Sequence, residues 1–362
     1  MMPSYTRTIV ETTRRYEAWL RSQIDIVEGD IRKKHRKMAH DPFTFLRATF
    51  YRWLELWPQL CEPLTDAPTI LAVGDLHVEN FGTWRDEEGR LIWGINDVDD
   101  ACELPYLHDL VRLTTSAHLA LEAGHLDISL REACETVIDG YRSSLERGGR
   151  PIVLAERHRW LREIAVAELR DPAGFWEELQ NLPSKATAAP RELQMALPTG
   201  ATKITTVPRA AGVGSLGRQR FASVASLGAA FVAREAKALA PSALVFLTGI
   251  EEDPLRRQSL VQGAVRVPDP FLRFHPQWMI RRLAPDCLKV ELGQFPTRRQ
   301  DKRLLRAMGW ETANMHLATG KPRKLLKDLD RRSKRWLQNA VTVMSRAVRN
   351  DWRLWKKHTR KS

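Results

Sequence analysis

The sequence is poor in cysteine. It holds four in 362 residues, and they stand far apart, at Cys61, Cys102, Cys134 and Cys287. No C-x-x-C pair occurs, and no cysteine and histidine have the spacing of a zinc site. These absences argue against a disulfide framework and against a structural zinc site, so we expect four reduced thiols.

Long apolar runs are also missing. The first residues, MMPSYTRTIVETTRRYEAW, contain no apolar segment typical of a signal peptide, and no later stretch approaches the roughly 18 uninterrupted apolar residues of a membrane span. Hydrophobic residues nevertheless make up 43% of the chain, which is enough for the core of one large or two ordinary domains. We therefore expect a soluble, cytoplasmic protein without a membrane span.

Acidic residues are scarce at the C-terminal end. The net charge is +13, and residues 321–362 hold fifteen Lys or Arg against three Asp, a net charge of +12. Such a segment can bind nucleic acid or acidic membrane, but it can also be the solvated face of a helix. Its apolar residues recur mostly three, four or seven apart, which favours an amphipathic helix packed on the protein over a nucleic-acid partner. These residues are Leu325, Leu329, Trp336, Leu337, Val341, Met344, Val348, Trp352 and Trp355.

Changes in composition divide the chain into five parts, which together predict an α+β protein. Helical spacing dominates both ends, and a β-rich region with frequent glycine follows a segment rich in Pro, Ala, Ser and Thr. That segment is predicted to link two lobes. The five parts are N-terminal helices (1–68), a mixed lobe with polar motifs (69–182), the linker (183–199), a β-rich lobe (200–292) and basic C-terminal helices (293–362).

Two local patterns allow more detailed predictions. A charged helix is expected over residues 4–38, and a second helix opens with Asp41 as N-cap and Pro42 at the first helical position. Further on, the strand-like runs TILAVGDLH and GRLIWGINDVDD flank the turn signal RDEEG. Residues 69–97 are therefore predicted to form a hairpin with polar residues at its ends.

The β-rich lobe contains the glycine motif GVGSLG, with Gly212, Gly214, Ser215 and Gly217. The spacing alone is weak evidence, because it serves strand-to-helix turns that bind dinucleotides and strand-to-strand turns that cover nucleotide phosphates. The residues that follow have strand spacing and a further glycine turn at Gly228, without a long helix, which favours a β-hairpin flap. A purely structural glycine-rich hairpin is an equal alternative on this stretch alone.

The next predicted strand, AFVAREAK, would bring a positive charge under this flap. Either Arg234 or Lys237 is expected there. A cation in that place can hold the α- and β-phosphates of a nucleotide.

Polar residues crowd the segment GDLHVEN. Asp75 and Asn80 have the D-x-x-x-x-N spacing of a kinase catalytic loop, and the next predicted strand ends in Asp97 and Asp99. Phosphoryl transfer requires a protein to place a nucleophilic hydroxyl and to neutralise phosphate charge with magnesium. Asn80, Asp97 and Asp99 form a candidate magnesium set, which leaves Asp75 to orient the acceptor hydroxyl and take its proton.

His77 completes the candidate catalytic set, and we expect it to orient the loop rather than carry a proton. Glu79 is expected to point outward into solvent by alternation. Each segment has a simpler explanation when it is considered separately, GDLH as a turn and NDVDD as a solvated loop. Their joint occurrence at two neighbouring strand ends favours the functional interpretation.

These segments resemble the catalytic loop and metal-binding segment of aminoglycoside phosphotransferases and choline kinases, which have the protein-kinase-like fold. A closer resemblance is to a bacterial domain-of-unknown-function family, number 2252. It extends over residues 37–320, at KMAHDPFTFLRA, GDLHVENFG, INDVDDACELPYLHDLVRL, GVGSLGRQRF with VAREAKAL, and GWETANMHLATG.

The resemblance implies a kinase-like active site that uses ATP and Mg²⁺. Asp75 would be the catalytic base, Asn80 and Asp97 metal ligands, and Asp109 and Arg112 of HDLVRL the buried support of the loop. The family has no assigned substrate, so the resemblance does not extend to the acceptor.

Two departures from ordinary kinases stand out. The glycine motif follows the catalytic loop instead of preceding it, so the predicted two-lobe kinase-like fold is circularly permuted. Val73 stands where small-molecule kinases have the histidine of an HGD motif, and Arg234 stands where the family has the lysine of a K-E-A motif. Either Arg234 grips phosphate, or Lys237 does so after a shift in register.

Three functions follow from these patterns. The leading one is an ATP-dependent phosphotransferase acting on a small hydroxyl- or amine-bearing molecule. A metallophosphoesterase is less favoured, because two-metal sites of that class need an upstream DxH, a GNH-type segment and further histidines. A non-catalytic, pseudokinase-like module that binds nucleotide as a switch is the third.

Overall fold

The computed structural model describes residues 7–124, 126–167, 171–183, 188–287 and 298–360, and its helices and antiparallel sheets confirm the α+β class. Helices form both ends of the described chain. The helices are α1 (Ile9–Gln23), α2 (Glu28–Met38), α3 (Pro42–Ala48), α4 (Phe50–Leu60), α5 (Leu107–Glu122), α6 (Leu130–Glu146), α7 (Arg159–Ala167), α8 (Pro172–Gln180), α9 (Arg191–Met195), α10 (Ala243–Thr248), α11 (Arg256–Gly263), α12 (Arg298–His316), α13 (Pro322–Arg331) and α14 (Trp336–Thr359). The strands are β1 (Thr69–Ala72), β2 (Phe81–Arg85), β3 (Leu91–Ile95), β4 (Cys102–Pro105), β5 (Ile152–Val153), β6 (Thr202–Pro208), β7 (Arg220–Leu227), β8 (Ala230–Ala238), β9 (Arg273–Phe274) and β10 (Trp278–Leu283).

The N-terminal helices begin at capping residues. The Thr8 hydroxyl and the Glu11 carboxylate form a capping box at the start of α1. The predicted start of α3 is confirmed, with Pro42 in its first turn and the Asp41 side chain accepting a hydrogen bond from the Thr44 amide.

The single helix predicted over residues 4–38 is wrong, because the chain forms α1 and α2 with a break at Ile24–Val27. In this break Ile26 makes a β-bridge with Arg218, and the Val27 amide donates to the Gly217 carbonyl at 2.8 Å. Pairing with a segment almost two hundred residues away overrides the local helical pattern. Residues 4–6 of the predicted helix lie outside the described residues.

The hairpin predicted over residues 69–97 is wrong in its pairing. β1 pairs with β4, whereas β2 and β3 form the hairpin around the predicted RDEEG turn, and β5 joins the other side of β3. Gly74 accounts for the difference, since its φ of +85° turns the chain out of β1 before the polar residues begin. The chain therefore forms a loop between β1 and β2 in place of a continuous strand.

A helical body underlies these strands. α12 packs along α6, and α14 packs against α5 and the N-terminal helices. The fully buried side chains there include Tyr106 and Tyr141, whose rings stack at 5.9 Å. This body carries the main hydrophobic core, and β1 and β3 pack against α12.

The β-rich lobe is a five-stranded antiparallel sheet in the order β6-β7-β8-β10-β9. The glycine motif connects β6 to β7, which is the strand-to-strand arrangement favoured by the sequence, and Gly228 forms the turn between β7 and β8. The lobe is not purely β, since α10 and α11 lie between β8 and β9. Residues 288–292 of this part lie outside the described residues.

The predicted linker, residues 183–199, contains the short helix α9. Leu193 of α9 is buried with Phe221 and Ile280 against the five-stranded sheet. Residues 184–187 of the linker lie outside the described residues.

The prediction that the basic C-terminal segment packs on the protein is confirmed. Eight of the nine periodic apolar residues are buried, and Trp352 is half-buried. A buried ion pair reinforces this packing, with Arg52 Nε 2.7 Å from Asp351 Oδ2. The lysines and arginines of α13 and α14 therefore lie on the exposed or half-buried side of helices whose other face is core.

The four cysteines are free thiols, and all but Cys287 are buried. Burial raises the pKa of Cys61, Cys134 and Cys287 to about 12, so these thiols stay protonated at neutral pH. No helix among the described residues combines the length and the apolar character needed to cross a membrane.

Alanine at Gly140 of α6 or at Gly309 of α12 is expected to lower the free energy of unfolding by about 3 kcal/mol. A Cβ atom at Gly140 would overlap the Arg306 carbonyl, and one at Gly309 would overlap the Val137 carbonyl, so two helix backbones would have to separate. Urea denaturation measures the effect.

Gly29→Ala in α2 is the matched control, because the nearest atom to its Cβ would be 4.0 Å away. It should leave stability unchanged or raise it by about 0.5–1 kcal/mol. Equal losses in all three variants would contradict the proposed close packing of α6 and α12.

Candidate active site

A small cavity lies where three segments meet: the polar loop (residues 73–80), the acidic segment (residues 97–100) and the glycine segment (residues 212–217). Its volume is about 50 Å³, enough for a few water molecules and far below the roughly 300–1,000 Å³ of ordinary ligand pockets. The residues predicted from the sequence that line it are Asp75, His77, Asn80, Asp97, Asp99, Gly212, Gly214, Ser215 and Lys237.

A fully buried carboxylate, Asp109 of α5, holds the polar loop. It accepts hydrogen bonds from the Val73 amide at 2.7 Å and from the Gly74 amide at 3.0 Å, and His316 Nε2 lies 3.0 Å away. Burial acts to raise the pKa of Asp109, but its interactions with His108 and His316 outweigh burial and hold that pKa well below its usual range. The charged carboxylate therefore fixes the backbone around Gly74.

Asp75 projects from the polar loop into the cavity. Its Oδ1 accepts a hydrogen bond from Arg112 Nε at 2.9 Å and contacts Nη2 as well. The Arg112 guanidinium is fully buried, 4.9 Å from the ring of Phe50 and 5.0 Å from that of Trp53. Burial raises the pKa of Asp75 to about 7, although Arg112 acts to lower it. Oδ2 faces Gly214, so one oxygen is anchored and the other meets the cavity.

Short hydrogen bonds fix the rest of the polar loop. Asn80 Nδ2 donates to the Asp75 carbonyl at 2.6 Å, and within the described residues Asn80 Oδ1 accepts no hydrogen bond. His77 Nδ1 accepts from the Glu79 amide at 3.2 Å. Glu79 does not point into solvent as expected, because its side chain pairs with Arg47 Nη2 at 2.5 Å and is only 18% exposed. Alternation failed there because residues 78–80 form a turn and not a strand.

Three carboxylates of the acidic segment face two cations from the β-rich lobe. Lys237 Nζ lies 3.3 Å from Asp97 Oδ1 and also contacts Asp99 Oδ2. Arg218 Nη1 donates to Asp99 Oδ2 at 3.2 Å, and its Nη2 lies 3.8 Å from Asp100 Oδ2. Both cations and Asp99 are buried, whereas Asp97 and Asp100 are partly exposed, so the charges of Lys237, Arg218 and Asp99 each depend on the opposite charge beside them.

The oxygen atoms of this cavity suit a magnesium ion. Asp99 Oδ1 is buried and has no hydrogen-bond partner among the described residues, and it lines the same cavity as Asn80 and Asp97. In the described ranges, no group of three or more His, Cys, Asp or Glu side chains is arranged to hold a metal ion. Magnesium in nucleotide sites takes one or two carboxylates and completes its shell with water and phosphate. Asn80, Asp97 and Asp99 therefore supply the type of oxygen ligand that magnesium takes.

The glycine segment is anchored by a buried carboxylate on β8. Glu235 Oε1 accepts from Arg220 Nη1 at 2.5 Å, and Arg220 Nη2 donates to Ser215 Oγ at 2.9 Å. Ser215 in turn donates to the Ala211 carbonyl at 3.1 Å. Burial acts to raise the pKa of Glu235, but Arg220 and two neighbouring arginines hold it well below its usual range. Ser215 is thus tied to the sheet beneath it.

At two positions of the segment a side chain would not fit, for a different steric reason at each. At Gly214 a Cβ atom would lie 2.8 Å from the Arg47 carbonyl, so only glycine lets this backbone close over Asp75. Gly217 has a φ of +99°, and a side chain there would overlap Ile31 of α2. Gly217 is outside the cavity lining and positions the segment against the N-terminal helices.

The structure separates the two candidate cations of β8. Lys237 lines the cavity, whereas Arg234 projects from the opposite face of the strand, as an odd spacing along a strand requires. Arg234 Nε donates to the Ala196 carbonyl at 3.1 Å, and its guanidinium lies 4.4 Å from the ring of Phe271. Arg234 is therefore not brought to the cavity.

Three charged residues of the cavity were missed by sequence reasoning: Arg47, Asp100 and Arg218. Asp100 is the last residue of INDVDD, and Arg218 directly follows GVGSLG, so both belong to segments already recognised. Arg218 could have been found, because it is a cation next to the glycine motif and a cluster of carboxylates needs compensating charge. Nothing in the sequence around Arg47 indicates that it lines the cavity.

Comparisons with known proteins place part of the chain in a wider context. The model of a family described as an uncharacterized protein conserved in bacteria, domain-of-unknown-function family 2252, matches residues 27–196. The match supports the family resemblance over the polar loop and the acidic segment, and it ends before the glycine segment. No curated protein and no solved structure matches the chain.

Glu311 of α12 supports the end of β3 close to the acidic segment. Its Oε1 accepts from the Ile95 amide at 3.3 Å, and its Oε2 accepts from Asn314 Nδ2 at 2.9 Å. The side chain is buried, and burial raises the pKa of Glu311 to about 7.

The Glu311 carboxyl should make stability fall as pH rises. A carboxyl with a raised pKa keeps its proton in the folded protein where the unfolded chain has lost it, so the free energy of unfolding falls between the unfolded pKa and the folded one. Between pH 5 and pH 8 the wild type should lose on the order of 3 kcal/mol from this group, and Glu311→Gln should not.

Urea denaturation of both proteins at the two pH values measures this difference. Any effect of the Gln side chain on stability that does not depend on pH cancels when the change between pH 5 and pH 8 is compared. Glu135→Gln, at an exposed position of α6, is the control and should follow the wild type. A difference between Glu311→Gln and the wild type that stays constant with pH would show that Glu311 does not titrate in this range.

Proposed function

We propose that this protein is an ATP- and magnesium-dependent phosphotransferase that acts on a small molecule bearing a hydroxyl or amine group. One observation carries the proposal. The polar loop, the acidic segment and the glycine segment are far apart in the sequence, and together with Lys237 they line one cavity. A base, metal ligands, a phosphate cover and a cation are the parts that kinase-type phosphoryl transfer requires.

Asp75 is the proposed base. Arg112 holds one of its carboxylate oxygens, and the other faces the cavity, where it would orient the acceptor hydroxyl and accept its proton. Asn80, Asp97 and Asp99 would hold magnesium, which neutralises the charge of the nucleotide phosphates when bound. His77 keeps the loop in shape through its contact with the Glu79 amide.

Lys237 and Arg218 are the proposed phosphate-binding cations. Both are buried beside the glycine segment, and both are now paired with the acidic segment. A nucleotide that brings its own cation would replace these pairs, with magnesium on the carboxylates and phosphate on Lys237 and Arg218. In both arrangements the carboxylates and the cations would each face a group of opposite charge.

The proposal includes a permuted kinase-like fold. In protein kinases the glycine-rich loop covers the phosphates from a sheet, and the phosphate-binding lysine lies on the third strand. Here the glycine segment joins the first two strands of the β-rich lobe, and Lys237 lies on the third, β8. Only the order of the lobes along the chain is exchanged. Use of ATP also fits the cytoplasmic location expected from the sequence.

Nucleotide entry requires the glycine segment to move. The cavity of about 50 Å³ is too small for a nucleotide, and the Gly214 backbone lies directly over Asp75. We propose that the segment lifts as the cations exchange partners, and that the described conformation is the closed form. Loops that cover phosphates commonly open and close in this way.

A second candidate is a nucleotide-binding switch without catalysis. The observation that favours it is the neutralisation of Asp97 and Asp99 by Lys237, which keeps the proposed metal ligands occupied by the protein itself. In that case ATP would exchange the pairs and move the glycine segment, but no phosphate would be transferred. Asp75 would then have no chemical role.

Replacement of Asp75 by asparagine should abolish transfer without preventing nucleotide binding. Loss of γ-phosphate from ATP with magnesium is followed in the presence of a cell metabolite extract, and Asp75→Asn is expected to lower turnover about 10²- to 10⁴-fold. Asp330→Asn, an exposed aspartate of α13, is the control and should be fully active.

Two outcomes would count against the phosphotransferase. If the wild-type protein binds ATP but transfers no phosphate in the presence of any extract, the result favours the switch. Cleavage of phosphodiesters without ATP would overturn both nucleotide-dependent proposals.

Lys237 and Arg234 are both buried cations of β8, so their methionine variants serve as test and control for nucleotide binding. Lys237→Met should weaken binding of a non-hydrolysable ATP analogue with magnesium at least about tenfold, the usual value of a charged hydrogen bond. Arg234→Met removes a cation from the other face of the same strand and should bind normally. Calorimetric titration measures affinity, and circular dichroism confirms that both variants are folded. Equal losses in two folded variants would place the phosphates elsewhere.

A further inference from the structure

A second cavity, of about 530 Å³, lies between the segment that carries β5 and the helix α12. It shares no lining residue with the cavity under the glycine segment, and its volume is in the range of ordinary small-molecule sites. Two half-buried tryptophans, Trp160 and Trp310, form part of its wall. Its arginines are Arg147, Arg150, Arg157, Arg303 and Arg306, against a single carboxylate, Glu156.

Three of the five arginines have no carboxylate partner among the described residues, whereas Arg306 pairs with Asp139 at 2.5 Å and Arg150 lies near Glu156. The Arg157 and Arg303 side chains form no ion pair or hydrogen bond with any described residue, and Arg147 contacts only the Trp310 ring, at 5.8 Å. Glu156 is shared, 3.2 Å from Arg90 and 4.0 Å from Arg150. A concave site with several unneutralised guanidinium groups attracts anions, and guanidinium forks match the oxygens of phosphate.

The wall of this cavity is rigid. Trp310 Nε1 donates to the Arg150 carbonyl at 2.8 Å, and Asn314 Nδ2 donates to the same oxygen at 2.9 Å. Gly149, with a φ of +78°, packs tightly against the side chains of Leu317 and Asn314. A preformed wall lowers the entropy lost on binding. The Trp310 ring is therefore held in place beside the arginines, and together with Trp160 it offers an apolar surface that suits a flat aromatic ring.

We infer that this cavity binds a small aromatic phosphate of the nucleoside monophosphate class. The phosphate would contact Arg157 and Arg303, and the aromatic ring would lie against Trp160 and Trp310. Inorganic phosphate would leave the tryptophan wall unused, and an uncharged ring would leave the arginines unpaired. The inference is independent of the phosphotransferase proposal, because the two cavities have no residue in common.

Calorimetric titration of the full-length protein with adenosine 5′-monophosphate tests the site. Arg157→Gln and Arg303→Gln should each weaken binding at least about tenfold, since each removes a charged hydrogen bond. These arginines are exposed and have no described partner, so neither change should affect folding. Arg353→Gln removes the same charge from an exposed arginine of α14 and should bind normally. Adenosine alone and inorganic phosphate alone should each bind at least tenfold more weakly than the monophosphate.

Four results would overturn the inference. The first is an equal loss in Arg353→Gln, which would indicate unspecific attraction to a basic protein. The second is normal binding in Arg157→Gln and Arg303→Gln together with loss in Lys237→Met, which would place the nucleotide under the glycine segment. The third is inorganic phosphate binding as tightly as the monophosphate. The fourth is tighter binding of a single-stranded oligonucleotide than of the mononucleotide, which would make nucleic acid the partner.

Discussion

The carboxylates of Asp97, Asp99 and Asp100 face Lys237 and Arg218 across the boundary between the helical body and the β-rich lobe. Lys237, Arg218 and Asp99 are buried and could not stay charged alone, because an unpaired buried charge is among the most costly features that a folded protein can contain. The ion pairs therefore fix where the five-stranded sheet lies over the polar loop. The closure of the glycine segment, the position of Asp75 and the size of the cavity all follow from that placement.

Under the proposed function, the site would alternate between two charge-compensated arrangements. The carboxylates can be balanced by Lys237 and Arg218, or by a divalent ion that arrives with an anionic ligand. The interactions of Asp109 and of Glu235 are separate from this exchange, since each is completed within its own lobe. The polar loop and the sheet can therefore keep their shape while the charges between them change partners.

Local chemistry in the sequence was a reliable guide where one segment determines its own structure. The cap at Asp41, the turn at Gly228 and the buried face of α14 were all predicted from patterns within a few residues. Motif spacing also predicted that Asp75, Asn80 and Asp97 lie in one site with the glycine motif. The prediction did not need the usual order of these motifs along the chain, because the spacing within each motif indicates its chemical role. The identity of the cation on β8 required the strand register, which decides that Lys237 and not Arg234 faces the polar loop.

Predictions failed where a distant segment decides the outcome. Ile26 leaves a helical pattern because Arg218 pairs with it, and β1 pairs with β4 and not with its neighbour in sequence. Glu79 is covered because Arg47 lies opposite. None of these partners is marked by spacing or composition, since tertiary contacts override local preference without leaving a local trace. Arg218 was also missed, although its position next to the glycine motif and the nearby cluster of acids offered a signal.

The ion pair between Arg52 and Asp351 joins α4 to α14, although the two residues are 299 positions apart in the sequence. Both side chains are buried, so separating the two helices would leave the Asp351 carboxylate in an apolar surrounding without its cation. Contacts between segments so distant in sequence form slowly, because a long loop has to close first. The N-terminal helices and α14 are therefore expected to reach their final packing together, late in folding.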